Sequence, residues 1–251
     1  MKYVSTRGQA PVLEFADVLL EGLARDGGLY VPERIPSLPP DPPVARYQHL
    51  ATGVIAPYAD DVADLAEHVE AAYGFFEHED VIPLVELRDG VWVQELFHGP
   101  TLAFKDVALQ LVGRLMDAEL RRRGQRRTIV VATSGDTGSA AIEACVGRAS
   151  LSIVVLHPAG RTSEVQRRQM TTVHAPNVRN VAIEGTFDDC QDIVKALFAD
   201  VAFRDEVSLG AMNSINWGRV VAQIPYYVQA AVRLGPCDVV VPTGNFGNIL
   251  A

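Results

Sequence analysis

Apolar residues recur along the chain with two different periods, and the change between them falls near Pro83. Before Pro83 the spacing is helical. Phe15, Val18, Leu19 and Leu23 share one face, which predicts a helix over 15–23. The turn signal Asp26-Gly27-Gly28 follows, then a short extended piece at 29–32. The prolines of 36–43 lack backbone donors, so this stretch is neither helix nor inner strand but a stiff surface connection. Further helical patterns run over 47–58 and 61–73. Residues 1–80 therefore read as a small, mostly helical N-terminal domain.

Beyond Pro83 strands and helices alternate. Strands are predicted at 91–96, 128–132, 152–156, 178–183 and 238–242. The last four of these are mostly β-branched and apolar, as in strands buried on both faces. Helices are predicted at 106–123, 137–147, 163–173, 187–202 and 217–234. Ser163-Glu164-Val165-Gln166 is a capping box. Cys190, Ile193, Val194, Leu197 and Val201 form a stripe at helical spacing. Strand–helix–strand alternation implies parallel pairing with right-handed crossovers, so the fold class is α/β. Residues 81–234 read as the α/β domain and 235–251 as the start of a further part. A strand, a glycine loop and a helix start at the end of the chain leave apolar surface uncovered, so a C-terminally truncated piece is expected.

Composition acts mainly by exclusion. With 48% hydrophobic and 21% charged residues the chain has enough apolar surface to offset ordering entropy. A net charge of -9 disfavours a nucleic-acid partner, which needs a positive face. No apolar run is long enough to span a bilayer, and the opening MKYVSTRGQA lacks a signal-peptide core, so a cytoplasmic location is expected. Cys145, Cys190 and Cys237 show no metal-ligand spacing and read as buried core thiols. The oligomeric state stays open, an oligomer included.

Candidate chemistry sits in loops that follow strands, where open α/β sheets bind ligands. In Glu95–Asp106, Lys105 opens a predicted helix beside Leu102, Ala103 and Phe104. The positive helix end and the apolar neighbours both favour a free amine, which Schiff-base chemistry needs. A solvated lysine that happens to open a helix is the plain alternative. In Thr133-Ser134-Gly135-Asp136-Thr137-Gly138, glycines free the backbone, and hydroxyls and helix-start N–H groups can receive a carboxylate or phosphate. A helix cap by Ser134 or Asp136 reads equally well.

Gly244-Asn245-Phe246-Gly247-Asn248 tolerates unusual backbone angles, so successive N–H groups can curl around a phosphate; a plain turn is the alternative. Neither a P-loop nor a dinucleotide fingerprint is present. Asn213-Ser214-Ile215-Asn216-Trp217-Gly218-Arg219 places polar side chains at a helix start and could hold a second anion, or could be caps plus a surface arginine.

Taken in order, these segments resemble the threonine synthase family. ELFHGPTLAFKD is similar to its cofactor-lysine segment, ATSGDTG to its substrate loop, and NSINWGR and PTGNFGN to two later blocks. The opening EGLARDGGLYVPERIP is also similar, so the resemblance runs over essentially the whole chain. It implies the fold-type II, tryptophan-synthase-β-like architecture and pyridoxal 5'-phosphate as cofactor. It implies a lyase of threonine biosynthesis that converts O-phosphohomoserine and water to L-threonine and phosphate.

Carried over by position, Lys105 bonds the cofactor as a Schiff base, with Phe104 beside it. Gly244, Asn245, Phe246, Gly247 and Asn248 cradle its phosphate. Asp136 stands where related enzymes place an asparagine near the cofactor's phenolic oxygen, a contact that requires a shared proton. Thr133, Ser134 and Thr137 receive the substrate carboxylate. Asn213, Ser214, Asn216 and Arg219 are the candidates for the substrate phosphate. Two readings compete with this one: a serine/threonine dehydratase or phospho-lyase on the same fold, and an inactive fragment with an interaction role.

Overall fold

The computed structural model describes residues 1–38, 42, 45–212, 216–242 and 246–251. The chain forms two compact units, Met1–Val112 with Ser214–Ala251, and Gly113–Asn213. These units divide the chain at 112 and 214, whereas the sequence pattern divides it at 80 and 234.

The first unit opens with β1 (Tyr3–Ser5), α1 (Phe15–Glu21) and β2 (Tyr30–Pro32). β1 and β2 pair antiparallel, Tyr3 opposite Pro32 and Ser5 opposite Tyr30. Phe15, Val18 and Leu19 are buried on α1, as their spacing predicts. Leu23 is not on that face. Gly22 takes φ 70° and ends the helix first, a backbone that glycine adopts at little cost. The next turn is held by Asp26, whose carboxylate accepts from Ser5 Oγ and from the backbone N–H groups of Gln9 and Gly28.

Helices α2 (Tyr47–Ile55) and α3 (Leu65–Tyr73) follow, each shorter than its apolar spacing suggests. Tyr73 ends α3 with its ring edge-on to Tyr47 at 5.2 Å and its hydroxyl donating to Val107 O at 3.0 Å. A buried tyrosine thus keeps both its apolar body and its polar tip satisfied. β3 (Leu84–Arg88) and β4 (Val91–Gln94) form a separate antiparallel hairpin about Gly90, φ 70°. The strand expected at 91–96 belongs to this ribbon and not to a parallel sheet. α4 (Lys105–Arg122) begins in the first unit and continues into the second.

The second unit continues with β5 (Arg127–Ala132), α5 (Asp136–Cys145), β6 (Leu151–Pro158), α6 (Glu164–Thr171), β7 (Val178–Ile183), α7 (Phe187–Ala199), α8 (Val201–Glu206) and β8 (Leu209–Gly210). The strands form one parallel sheet in the order β7-β6-β5-β8. Val130, Leu156, Cys190 and Leu209 make a core on it, and Val194 and Leu197 of α7 pack against them. β7 departs from expectation. It is an edge strand with one neighbour, so Val181 stays 39% exposed where burial on both faces is predicted. α7 starts in a full capping box, Thr186 with Asp189, whereas Ser163 supplies α6 with an accepted bond from Gln166 N and gives its own proton to Gln166 Oε1. The helix predicted over 187–202 stops at Asp200, which caps α8 by accepting from Phe203 N at 3.0 Å.

The chain then adds α9 (Trp217–Val221), α10 (Ile224–Leu234) and α11 (Gly247–Leu250) to the first unit. One helix is expected over 217–234. Pro225 lies in the first turn of α10, where its missing N–H is harmless, and it divides the segment in two. Val228 and Ile224 of α10 pack on Leu50 and Val54 of α2. α9 lies close to α1 because residue 218 is glycine: a Cβ there would stand 2.6 Å from Leu19 Cδ1.

The strand expected at 238–242 is absent, and Val240 is 96% exposed. β-branched composition favours a strand only when a neighbour completes its ladder. Cys145 and Cys190 are buried as expected, but Cys237 is exposed. Among the described residues no helix is long and apolar enough to cross a membrane, and no cluster of His, Cys, Asp and Glu suits a metal.

Candidate active site

The lysine segment is organised by the residue that follows it. Asp106, fully buried in the first turn of α4, accepts from Thr101 N and Thr101 Oγ1 at 2.8 Å each, and from Ala103 N at 3.5 Å. A buried carboxylate needs such donors, and here they fold residues 101–103 back onto the helix start. Gly99 makes room, since a Cβ there would come within 2.5 Å of Asp106 Cβ. Leu102 takes φ 58° in this turn and stays exposed. Apolar cover for Lys105 therefore comes from Phe104 and not from Leu102. Lys105 is the first residue of α4, and its Nζ lies 4.4 Å from the centroid of the Phe104 ring. Upstream, His98 Nε2 and Glu95 Oε2 share a hydrogen bond of 2.8 Å.

The glycine loop after β5 is held from inside by Thr133. Its hydroxyl donates to Gly135 O at 2.9 Å and accepts from Gly135 N and Gly138 N at 3.1 Å each. The single hydroxyl proton is thus committed to the loop. Gly138 is required by closeness: a Cβ would stand 2.5 Å from Thr133 Cγ2 and from Met170 Sδ. Ser134 is exposed, while Asp136 and Thr137 are half-buried at the start of α5. Neither cap reading from the sequence applies, since the N-cap of α5 is Gly135, which has no side chain.

At α9 the side chain of Asn216 is fully buried and serves the fold. Its Oδ1 accepts from Gly218 N and its Nδ2 donates to Leu19 O, both at 2.9 Å. Arg219 is buried too, where a surface arginine was the plain alternative. A sequestered guanidinium is suited to holding a carboxylate or phosphate in paired hydrogen bonds.

Phe246 takes the left-handed conformation, φ 57° and ψ 3°, and leads into Gly247 and Asn248 of α11. Asn248 is tied to α10. Its Oδ1 meets the hydroxyls of Tyr226 and Tyr227, the latter at 2.9 Å, and its backbone carbonyl accepts from Tyr227 OH at 2.7 Å. Sequence reasoning overlooks Asp106 and both tyrosines. Asp106 has a signal, an acidic residue in a helix's first turn; the tyrosines have none, because they sit within an apolar helical stripe.

Lys105, Phe104, Asn216, Arg219, Phe246, Gly247 and Asn248 therefore all belong to the first unit, and Thr133, Ser134, Asp136 and Thr137 to the second. Asn213, Ser214, Gly244 and Asn245 lie outside the described residues.

Comparison with known proteins gives concordant matches. Residues 76–251 match the family model described as pyridoxal-phosphate dependent enzyme, and residues 2–73 match that of the threonine synthase N terminus. Threonine synthase of Pseudomonas aeruginosa is 55% identical over 262 residues, spanning 100% of this chain and 56% of that protein. The Schizosaccharomyces pombe threonine synthase is 43% identical, spanning 100% of this chain and 53% of that protein. Among solved structures, a threonine synthase from Brucella melitensis with bound pyridoxal phosphate aligns at 52% identity and TM-score 0.93, covering 99% of this chain and 56% of that one. A yeast threonine synthase aligns at 41% identity and TM-score 0.91, with coverage of 99% and 54%. The chain thus spans a little over half the length of the relatives it matches.

Proposed function

We propose that this chain, which belongs to the pyridoxal-phosphate dependent enzyme family, carries the cofactor lysine and much of the substrate site of a threonine synthase. The observation that carries the reading is Lys105 itself. It is a half-buried primary amine at the first residue of α4, behind a loop pinned by a buried carboxylate. The described residues fit pyridoxal phosphate by donor chemistry: an amine for the aldehyde, and a glycine-containing turn with left-handed backbone for the phosphate. The match to solved threonine synthases at TM-scores of 0.93 and 0.91 over 99% of this chain supports the same assignment. We keep 1–80, 81–234 and 235–251 as the proposed domain divisions.

When bound, the cofactor supplies an electron sink for charge developing on the substrate's carbons. Lys105 Nζ would hold the cofactor at rest through its aldehyde. As a free amine, Nζ would take the proton from the substrate's Cα and carry protons at Cβ and Cγ as phosphate departs and water adds at Cβ. Ser134, Thr137 and the backbone of the 133–138 loop hold the substrate carboxylate. The contribution of Thr133 is to shape that loop, because its hydroxyl proton is already given to Gly135 O. Arg219 answers the substrate phosphate from α9, with Asn213 and Ser214 beside it in sequence. Asn216 acts there only by capping α9. Asp136 would lie beside the cofactor's phenolic oxygen. Gly244 and Asn245, with Phe246, Gly247 and Asn248, cradle the cofactor phosphate.

Product analysis with O-phosphohomoserine tests the reading. Threonine and phosphate in equal amounts are expected. Release of 2-oxobutyrate would instead mark a phospho-lyase on the same fold.

A further inference from the structure

We propose that Tyr227, with Tyr226 beside it, is a positioning residue that sets the backbone of the 246–248 turn for the cofactor's phosphate. The inference rests on the function proposed above and adds residues that no motif contains. Three observations lead to it. Asn248 is met at two points, its side-chain oxygen by the Tyr226 hydroxyl and its backbone carbonyl by the Tyr227 hydroxyl at 2.7 Å; the Tyr227 oxygen, with one proton to give, also lies 2.9 Å from that side-chain oxygen. A residue fixed at side chain and main chain cannot rotate about its own backbone, so the N–H directions of its turn are set. The turn also needs such a constraint, because Phe246 is a bulky residue in left-handed backbone, and surroundings must over-determine that conformation.

The tyrosines are themselves fixed. Tyr226 is buried, its hydroxyl lies 3.2 Å from Gln223 Oε1, and the two rings stand 4.7 Å apart. The amide of Gln94 donates to Tyr226 O at 2.7 Å and to Gln229 Oε1 at 3.2 Å. Gln94 ends β4, and the Lys105 segment starts with the next residue. α10 is therefore a common anchor: Tyr226 accepts through its backbone from the residue just before the lysine segment, and Tyr226 and Tyr227 hold the phosphate turn through their hydroxyls. Pre-set N–H directions matter for anion binding because the ordering cost is met on folding and not on binding.

The test compares two aldehydes, pyridoxal phosphate and pyridoxal, titrated by absorbance against wild type and Tyr227→Phe. Loss of the hydroxyl is expected to weaken pyridoxal phosphate about tenfold, the size of a lost hydrogen bond. Pyridoxal, which has no phosphate, keeps its wild-type affinity. Equal weakening of both aldehydes, or of neither, overturns the inference. Should Tyr227→Phe not fold, Tyr226→Phe reads the same difference through the other hydroxyl. A wild-type chain that forms no adduct on Lys105 overturns the proposed function and this inference with it. A wild-type adduct combined with an unchanged phosphate preference in the variant overturns this inference alone.

Discussion

Thr101 gives both its backbone N–H and its hydroxyl to the carboxylate of Asp106, at 2.8 Å each. The two residues bracket the turn that ends at Lys105, so the backbone direction of the lysine follows from this pair. Replacing Asp106 by Ala should cost about 3 kcal/mol, because buried donors lose a charged acceptor. Asp106→Asn should cost about 1 kcal/mol, since one oxygen still accepts from the backbone while the Thr101 hydroxyl can turn to accept. Urea unfolding of both variants checks the order. An equal loss in the two would show that charge, and not acceptor geometry, is what holds the turn.

Asn216 is expected to behave as a structural residue. Asn216→Ala removes the α9 cap and the bond to Leu19 O, and should lower stability by about 2 kcal/mol. Asn216→Asp keeps the cap but loses the amide donor and buries a charge, so it should be the worse of the two. Thermal melts of the pair decide; a milder aspartate would mean that the α9 cap outweighs the cost of the buried charge.

Thr133 separates loop shape from hydroxyl chemistry. Thr133→Ser keeps the oxygen that accepts from Gly135 N and Gly138 N and should retain nearly full stability. Thr133→Val keeps the shape, leaves two loop N–H groups without that oxygen, and should lose about 2 kcal/mol. Chemical denaturation midpoints measure the difference.

Thiol reactivity should divide the cysteines. Burial pushes the Cys145 thiol up to about 12 and raises that of Cys190 as well, so the nucleophilic thiolate of each is scarce at pH 8. Cys237 is exposed. A thiol reagent at pH 8 should label Cys237 alone in the folded chain and all the cysteines in denaturant. Rapid labelling of Cys145 under native conditions would mean that α5 opens readily.

The legible parts of the fold were those where local pattern and tertiary environment agree. The α1 face follows directly from spacing, because Phe15, Val18 and Leu19 set the period and meet the core, and the bounds of the strand at 178–183 follow from its β-branched composition although its burial does not. Boundaries failed where one residue outweighed the pattern: Gly22 ended α1, Asp200 started α8, and Pro225 split α9 from α10. The stretch 238–242 has strand composition without a partner strand, which no local pattern reports. The site shows the same division. Lys105 is visible because glycine, proline and apolar residues announce its turn. Asn216 and Thr133 are visible as polar residues, but only coordinates show their hydrogen bonds spent on the fold. Tyr226 and Tyr227 are hidden because a tyrosine in an apolar stripe reads as core.

Everything proposed for the site depends on Lys105 being the amine that bonds pyridoxal phosphate. The most direct measurement is borohydride reduction of the chain after mixing with pyridoxal phosphate, followed by peptide mass mapping. A single phosphopyridoxyl adduct is expected on the peptide containing Lys105, and it is lost in Lys105→Ala. An adduct on Lys2 or Lys195, or none at all, would contradict it.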